Sequence, residues 1–228
     1  MHPGFFITGT DTGVGKTLIS CALLHAFSNA GKSTVGMKPV AAGCELSGKS
    51  IQCKDVEMLL ASSTVKAPLE LVCPYSFAAP IAPHIAAAKS GITIELPSIR
   101  TAFEQLRDMA DITIVEGVGG FRVPLNAAED TADLANLLDL PVILVVGMRL
   151  GCLNHALLTA QNITASGLSL AGWIANQVDP TMLYPAENTQ SLAERLPAPL
   201  LATVTHHPAP NAESIAHQLP ATYLLSTL

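Results

Sequence analysis

Charged residues are scarce in this sequence, at 13% of 228 residues, whereas hydrophobic residues make up 49%. A chain with so little charge should bury a large core, with apolar surface left over for an interface. Basic residues are outnumbered by acidic ones, and the formal net charge is −6. This balance argues against a basic surface for nucleic acid or anionic membranes, so an anionic ligand would have to be held by local groups.

Other patterns are also missing. The five cysteines (Cys21, Cys44, Cys53, Cys73 and Cys152) are scattered and form no C-x-x-C pair, which predicts reduced thiols in a cytoplasmic protein. No uninterrupted apolar run is long enough to span a bilayer. Linkers, internal repeats and low-complexity runs are absent too, and the length suits one domain over residues 1–228.

One stretch dominates what is present: an apolar run leads directly into a glycine-rich loop that ends in Gly15-Lys16-Thr17. An Ala- and Leu-rich segment follows, which gives the strand, loop and helix start that a phosphate-binding loop requires. In such a loop backbone N–H groups converge on phosphates, the lysine reaches the β- and γ-phosphates, and the threonine binds Mg²⁺. The sequence of this loop is a variant of the standard pattern, because Thr10 stands at the position of the first glycine and Gly9 comes one residue early.

Strands and helices alternate along the rest of the chain. The predicted strands are 5–8, 33–37, 111–115, 141–146, 170–175 and 200–204, and the predicted helices are 17–29, 55–61, 98–109, 131–138, 154–166 and 186–196. This alternation predicts an α/β fold: a mostly parallel sheet flanked by helices on both faces, in three layers, as in phosphate-loop NTPases.

Three segments lack a clear pattern. Residues 41–50 are predicted to be a polar loop, and the tail 208–228 to hold one weak helix at most. Residues 62–84 are punctuated by prolines and are either a binding loop or a connector, with neither interpretation favoured.

Polar and glycine-rich residues follow the predicted strands, and ligands bind at the carboxyl edge of a parallel sheet. They are Lys16, Lys38, Glu116, Gly119, Gly147 and Asn176. Thr17, Asp55 and Glu116 could supply three oxygen ligands to Mg²⁺, although Asp55 is equally suited to cap a helix and Glu116 could be solvated. Lys38 is either a second cation for phosphoryl transfer or a solvated strand-end lysine. Asn176 could contact a base edge or form a turn.

These residues resemble the dethiobiotin synthetase family, and the matching motifs run along almost the whole chain. They include Thr8-Gly9-Thr10-Asp11-Thr12, Lys38-Pro39-Val40-Ala41, Pro83-His84, Val115-Glu116-Gly117, Leu150-Gly151-Cys152 and Asn154-His155-Ala156. The Gly-Thr-Asp-Thr loop and the Leu-Gly-Cys-x-Asn-His stretch are specific, whereas Gly-Lys-Thr alone would not be.

The resemblance implies a ligase of biotin biosynthesis that uses ATP as co-substrate with Mg²⁺. It joins CO₂ to 7,8-diaminononanoate as a carbamate, phosphorylates the carbamate and closes a ureido ring, releasing ADP and phosphate. The implied assembly is a homodimer with active sites at the interface, and no nucleic acid or membrane takes part. The implied catalytic residues are Thr12, Lys16 and Lys38. The implied ATP contacts are Gly13, Val14, Gly15, Lys16, Thr17, Asp55, Glu116, Gly117, Val118, Gly119, Asn176, Gln177, Thr205, His206 and His207. The implied substrate contacts are Thr12, Lys38, Ala42 and Gly119, with Gly151, Cys152, Leu153 and Asn154 of the partner subunit. The implied Mg²⁺ ligands are Thr17, Asp55 and Glu116.

The sequence departs from the family pattern in places. Gly13 stands where some members have Glu, and Ala42 stands where members often have Ser, so a hydroxyl contact to the substrate is missing. Residues 202–205 replace the usual Gly-x-Ile-Pro of the adenine pocket. Tyr184 lies about one helical turn before the position of the family's carboxylate-binding Tyr.

Three other functions compete with this one. A switch ATPase of the partitioning type would carry a signature Lys where this chain has Asp11, and would often end in a basic or membrane-binding segment, whereas the tail 208–228 has neither Lys nor Arg. An amide-forming synthetase would need a glutaminase domain, for which the chain leaves little room. A non-catalytic subunit would be expected to lack a key residue, yet Lys16, Thr17 and Glu116 are present.

Overall fold

The computed structural model describes residues 3–47 and 50–228, and within those ranges ten strands and ten helices follow one another along the chain. The strands are β1 (Gly4–Gly9), β2 (Thr34–Met37), β3 (Val40–Ala42), β4 (Glu45–Ser47), β5 (Ser50–Gln52), β6 (Tyr75–Phe77), β7 (Ile112–Glu116), β8 (Val142–Met148), β9 (Leu170–Gln177) and β10 (Leu200–Val204). The helices are α1 (Lys16–Asn29), α2 (Lys54–Ser62), α3 (Leu69–Val72), α4 (Pro83–Lys89), α5 (Leu96–Arg107), α6 (Thr131–Leu138), α7 (Cys152–Ala165), α8 (Pro185–Ala193), α9 (Ala212–Ala216) and α10 (Ala221–Ser226). None of the helices within the described ranges combines the length and apolarity needed to cross a membrane.

Six strands form one sheet in the order β10-β9-β8-β1-β7-β2, and every neighbouring pair is parallel. β1 lies at the centre, where Phe6 is paired with Val115 of β7 on one side and with Val142 of β8 on the other. All residues of β1, β7 and β8 are buried, because a central parallel strand is covered on both faces. The predicted mostly parallel sheet is therefore confirmed.

Successive side chains of the central strands point to opposite faces of the sheet, and each face is covered by helices. Phe5 packs on the side of α1, where its ring stacks on Phe27 at a centroid distance of 5.8 Å. Phe6 packs on the other side, in the same cluster as Phe103 of α5 and Leu134 of α6. α7 and α8 continue that second layer over β8 and β9. The three-layer architecture predicted from the alternation is thus present.

The C-terminal tail forms two short helices, so the expectation of at most one was wrong. Both helices pack into the hydrophobic cluster that contains Leu23 and Phe27 of α1. They bury Ile215 of α9 and Leu224 of α10 there, together with Leu219 between the two helices. Helices of five and six residues are too short to show a helical period, and packing against α1 holds them in place.

Two other segments are more regular than their composition predicts. In the predicted loop 41–50, β3 pairs with β6 in parallel and β4 pairs with β5 in antiparallel fashion, while Gly48 and Lys49 lie outside the described residues. The proline-rich segment 62–84 contains α3, β6 and the start of α4. Strands of three residues show no clear alternation, and their formation depends on a distant partner.

Two of the five cysteines form a disulfide, Cys44–Cys53, which contradicts the expectation of reduced thiols at these positions. The β4–β5 hairpin between them brings the two residues together, a contact that sequence spacing alone does not reveal. Cys21, Cys73 and Cys152 are free and buried. Burial raises the pKa of the Cys21 thiol to about 11 and that of Cys73 to about 12, so both should be unreactive at neutral pH.

Candidate functional site

The phosphate loop occupies residues 10–15, between the end of β1 and the start of α1. The Thr10 N–H donates to the Val145 carbonyl of β8 at 3.0 Å, so the loop begins against the neighbouring strand. Gly15, directly before the helix, has a φ of 91°, a left-handed conformation that residues with a Cβ rarely adopt. The predicted sequence of strand, loop and helix start is confirmed.

The first turn of α1 presents backbone N–H groups that lack partners within the helix. No described side chain caps this end, and the turn carries no acidic residue, so its partial positive charge remains available to an anion. Lys16 is buried in this turn and its Nζ donates to the Asp11 carbonyl at 2.9 Å. Burial, assisted by the nearby charge of Lys38, lowers the pKa of Lys16 to about 8.

A cluster of charged groups lies beside the loop. Lys38, only 4% exposed, forms ion pairs with Glu116 and, at 3.1 Å, with Asp55. Its Nζ also donates to the Gly117 carbonyl at 3.3 Å. The Thr17 hydroxyl donates to Glu116 Oε1 at 2.8 Å, which joins the helix start to the end of β7. Four residues from four distant segments therefore share one network, in which Lys38 and Glu116 are buried and Asp55 is half-exposed.

The charges in this network support one another. Burial alone would lower the pKa of Lys38, but the carboxylates of Glu116 and Asp55 outweigh it and raise that pKa. Burial would raise the pKa of Asp55, but the ammonium of Lys38 outweighs it and lowers that pKa. Lys38 and Glu116 are thus buried rather than solvated. Asp55 lies inside the first turn of α2, whose N-cap is Cys53, so it does not cap the helix.

The oxygen atoms of this network suit a hard cation. Glu116 Oε2 is buried and has no hydrogen-bond partner among the described residues, so this oxygen is available to a ligand. Carboxylates and a threonine hydroxyl are donors that Mg²⁺ prefers, and Thr17, Asp55 and Glu116 provide them. Within residues 3–47 and 50–228, no cluster of three acidic, His or Cys side chains could hold a metal alone. A cation here would therefore take further oxygen ligands from phosphate and water.

The network opens into a cleft of about 770 Å³. Many of the residues predicted to bind ATP, Mg²⁺ or the substrate line this cleft: Thr12, Gly13, Gly15, Lys16, Thr17, Lys38, Ala42, Asp55, Glu116, Val118 and Gly119. Residues 80–83 form an apolar wall of the same cleft. The segment 62–84 therefore contributes to the site at its C-terminal end, which favours the binding-loop interpretation over a mere connector.

A second group of predicted residues lies at the ends of β9 and β10. Asn176 is 6% exposed and its Nδ2 donates to the Val14 carbonyl of the loop at 2.8 Å, so it is not a turn residue. Gln177 Oε1 accepts from the His206 N–H at 3.4 Å, which joins the two strand ends. Thr205, His206 and His207 are exposed, and the His207 ring is held by its own loop, where Nδ1 accepts from the Ala209 N–H at 3.0 Å.

The predicted substrate contacts 151–154 are not brought to this cleft: none of the described residues that line it comes from that segment. They begin α7, with Gly151 as its N-cap at a φ of 97° and Cys152 buried below it. The preceding residue, Leu150, is 96% exposed. This segment therefore lies apart from the cleft of its own chain and next to an exposed apolar side chain.

Two features of the site were missed from the sequence. Arg149, just beyond the end of β8, forms an ion pair with Asp11 at the rim of the loop. Val123 completes the apolar wall that residues 80–83 form. Arg149 follows the end of β8 as Lys38 follows the end of β2, so the strand-end rule that selected Lys38 could also have selected Arg149.

Comparison with known proteins agrees with this geometry. A family model described as an AAA domain matches residues 3–214. The ATP-dependent dethiobiotin synthetase of Aromatoleum aromaticum is 56% identical over 203 residues, covering 89% of this chain and 90% of that protein. That of Nitrosospira multiformis is 54% identical over 206 residues, covering 90% and 89%.

Among solved structures, the MinD cell division protein of Aquifex aeolicus superposes with a TM-score of 0.60 at 15% identity, covering 98% of this chain and 97% of that one. At that identity the likeness shows a shared fold and no more. The relatives of more than 50% identity, aligned over about nine-tenths of this chain, are far more specific. The chain belongs to the AAA-domain family and, within it, to the ATP-dependent dethiobiotin synthetases.

Proposed function

We propose that this chain is an ATP-dependent ligase that forms the ureido ring of dethiobiotin from 7,8-diaminononanoate and CO₂. The observation that carries the proposal is the ion pair of Lys38 with Glu116 beside the helix start that holds Lys16. Two buried cations and a buried carboxylate meet there at the phosphate loop. Transfer of a phosphoryl group to an anionic acceptor needs such an arrangement.

The reaction proceeds through three bond-forming steps. One amine of the diamine adds to CO₂ and loses a proton, which gives a carbamate. A carbamate oxygen takes the γ-phosphoryl group of ATP, and ADP leaves. The second amine attacks the carbonyl carbon of this mixed anhydride, the C–O bond to phosphate breaks, and the ring closes with loss of a proton. The protein's task is to orient anions and neutralise their charge.

The phosphate loop and α1 hold the triphosphate in this proposal. Backbone N–H groups of Gly13, Val14 and Gly15 and of the first helical turn bind phosphate oxygens. Lys16 and Lys38 line the same cleft and would flank the carbamate and the γ-phosphate. Thr12 lines the same cleft. The backbone of residues 117–119 completes the phosphate side.

Thr17, Asp55 and Glu116 would hold Mg²⁺, which supplies positive charge to the β- and γ-phosphates when it is bound. The unpartnered Glu116 Oε2 supports this role. Lys38, which pairs with both carboxylates, lines the same cleft and would contact the carbamate there.

The substrate and the base lie on two sides of the triphosphate. The apolar wall of residues 80–83 suits the hydrocarbon chain of the diamine. Ala42 lines the same cleft and offers no hydroxyl, unlike the Ser common in the family. Asn176, Gln177, Thr205, His206 and His207 are the proposed adenine contacts, and the hydrogen bonds of Asn176 and Gln177 support this by joining the loop, β9 and β10.

We further propose a cytoplasmic homodimer in which residues 1–228 act as one functional unit. Gly151, Cys152, Leu153 and Asn154 would then complete the partner's site by holding the substrate carboxylate at the start of α7. Two observations support this. The segment lies away from the cleft of its own chain, and Leu150 beside it is almost fully exposed. Apolar side chains in that position are commonly covered by a second subunit.

A switch ATPase is not favoured. In such proteins a lysine of the loop reaches across a dimer, whereas the corresponding Asp11 is paired with Arg149 of the same chain. The likeness to MinD is limited to the fold.

One assay tests the proposal. Purified protein is incubated with Mg·ATP, bicarbonate and 7,8-diaminononanoate, and both phosphate and the cyclic urea are measured. We expect phosphate release that requires the diamine and matches the urea in amount. Phosphate release that ignores the diamine but responds to DNA or lipid would contradict the ligase assignment. Lys38→Ala should lose turnover while remaining folded in the presence of Mg·ADP, and full turnover of that variant would refute its catalytic role.

A further inference from the structure

Asn176 makes an unusual contact for a residue expected to bind a base. Its side chain is buried at the end of β9, and its amide Nδ2 donates to the Val14 carbonyl, 162 residues earlier in the chain, at 2.8 Å. An amide bonded to a carbonyl in a buried site is a stable contact, because neither group has water as an alternative partner.

The contact is close to the phosphate-binding backbone itself. A Cβ built on Gly15 would lie 2.2 Å from Asn176 Nδ2, so the amide lies directly against the loop with no room for a side chain between them. The Val14 side chain is packed below the loop against Gly147, where an added Cβ would meet it at 2.6 Å. The Val14–Gly15 segment is therefore held from two sides by the ends of β8 and β9.

This contact determines the direction of a phosphate donor. In a planar trans peptide the carbonyl and the following N–H point in opposite directions. The Val14 carbonyl points to Asn176, so the Gly15 N–H points away from it, and Gly15 lines the cleft. Because glycine tolerates both signs of φ, the Val14–Gly15 peptide could otherwise rotate and turn its carbonyl towards the phosphates.

We propose that Asn176 is a positioning residue of the phosphate loop: it holds the Val14–Gly15 peptide so that the Gly15 N–H faces the bound phosphates. This role is separate from an adenine contact. A carboxamide has two N–H groups and one oxygen, and the bond to Val14 uses one N–H, so the other N–H and the oxygen remain available to a base. Asn176 would thereby make the phosphate and base ends of the nucleotide site depend on one side chain.

The inference rests on the proposed nucleotide site but not on the diamine chemistry, and its test uses a ligand without a base. Inorganic tripolyphosphate with Mg²⁺ is titrated into the full-length protein by calorimetry, and ATP is titrated in parallel. Asn176→Ala should bind tripolyphosphate about tenfold more weakly than the wild type, as expected for the loss of one buried hydrogen bond. Gln177→Ala, which touches the His206 backbone and not the loop, should leave tripolyphosphate affinity unchanged and weaken ATP only.

A second pair of variants covers the case in which Asn176→Ala does not fold. Asn176→Asp has the same shape but cannot donate to the Val14 carbonyl, and Gln177→Glu adds the same charge one residue further along. Tripolyphosphate affinity should fall clearly further in Asn176→Asp than in Gln177→Glu. Equal losses in this pair would refute the proposal.

The remaining outcomes are also decisive. If Asn176→Ala binds tripolyphosphate like the wild type but binds ATP weakly, Asn176 contacts the base and does not position the loop. Wild-type protein that binds ATP but no tripolyphosphate would show that the loop is not preformed, which also overturns the idea. The ligase proposal fails in a different way: the wild-type protein would then bind tripolyphosphate but form no cyclic urea.

Discussion

Lys38→Met is the most informative single change, because it removes a buried cation and keeps the length of the side chain. Glu116 is fully buried, and after the substitution its carboxylate would keep only the hydroxyl of Thr17 as a partner among the described side chains. Loss of one partner of a buried ion pair costs about 3–5 kcal/mol, because the remaining charge is uncompensated. Asp55 is 48% exposed, so the loss of its ion pair with Lys38 adds less than about 1 kcal/mol to this cost.

The free energy of unfolding should therefore fall by about 3–5 kcal/mol in Lys38→Met, which corresponds to a loss of roughly 6–20 °C in Tm for a chain of this size. Urea unfolding followed by circular dichroism measures the difference. The double variant Lys38→Met/Glu116→Gln should recover about 2 kcal/mol or more, because it removes the orphaned charge as well. Lys54→Met, a change of the same type at the exposed start of α2, is the control and should have almost no effect.

The same reasoning predicts how ligands act on the variant. Mg·ADP should raise the Tm of Lys38→Met more than that of the wild type, because bound Mg²⁺ would supply the positive charge that Glu116 loses with Lys38. If Lys38→Met is as stable as the wild type, or if the double variant is no more stable than the single one, Lys38 does not neutralise Glu116.

Three other perturbations give clear expectations. Burial lowers the pKa of Lys16 from 10.5 to about 8, so between pH 8 and 10.5 the unfolded chain binds more protons than the folded one. The free energy of unfolding of the wild type should therefore rise relative to that of Lys16→Met as the pH increases through this range. A difference between the two proteins that does not change with pH would contradict this. Arg149→Ala should lose less than about 1 kcal/mol of unfolding free energy, since the two side chains of the ion pair are 40% and 47% exposed. Adding Asp11→Asn should cost nothing more, and additive losses would show that the two residues do not interact. Unreduced protein should show no thiol reactive to Ellman's reagent, because Cys44 and Cys53 are paired and the other cysteines are buried; two reactive thiols would argue against the disulfide.

The sequence allowed much of the fold to be predicted because its central strands are continuous apolar runs. β1, β7 and β8 are buried on both faces, and their composition alone reveals this. The parallel order then brings Lys16, Lys38 and Glu116 to one edge of the sheet, as the strand-end rule predicts.

What sequence reasoning missed depends on contacts between distant segments. β3 has three residues, and its partner β6 lies in a proline-rich stretch with no strand pattern. The Cys44–Cys53 bond depends on the pairing of β4 with β5, which the composition of this segment does not predict. The pairing of Asp11 with Arg149 joins residues 138 positions apart, and nothing in the sequence links the two.

The packing of α9 and α10 against α1 affects how the chain can be shortened or tagged. The family match ends at residue 214, and a fragment trimmed there would lose Ile215, Leu219 and Leu224. Their removal would open an apolar strip along the helix whose first turn carries Lys16. Such a fragment would keep every residue of the candidate site and still be prone to aggregate. The last 14 residues therefore belong to the support of the phosphate loop, even though none of them lies near it in sequence.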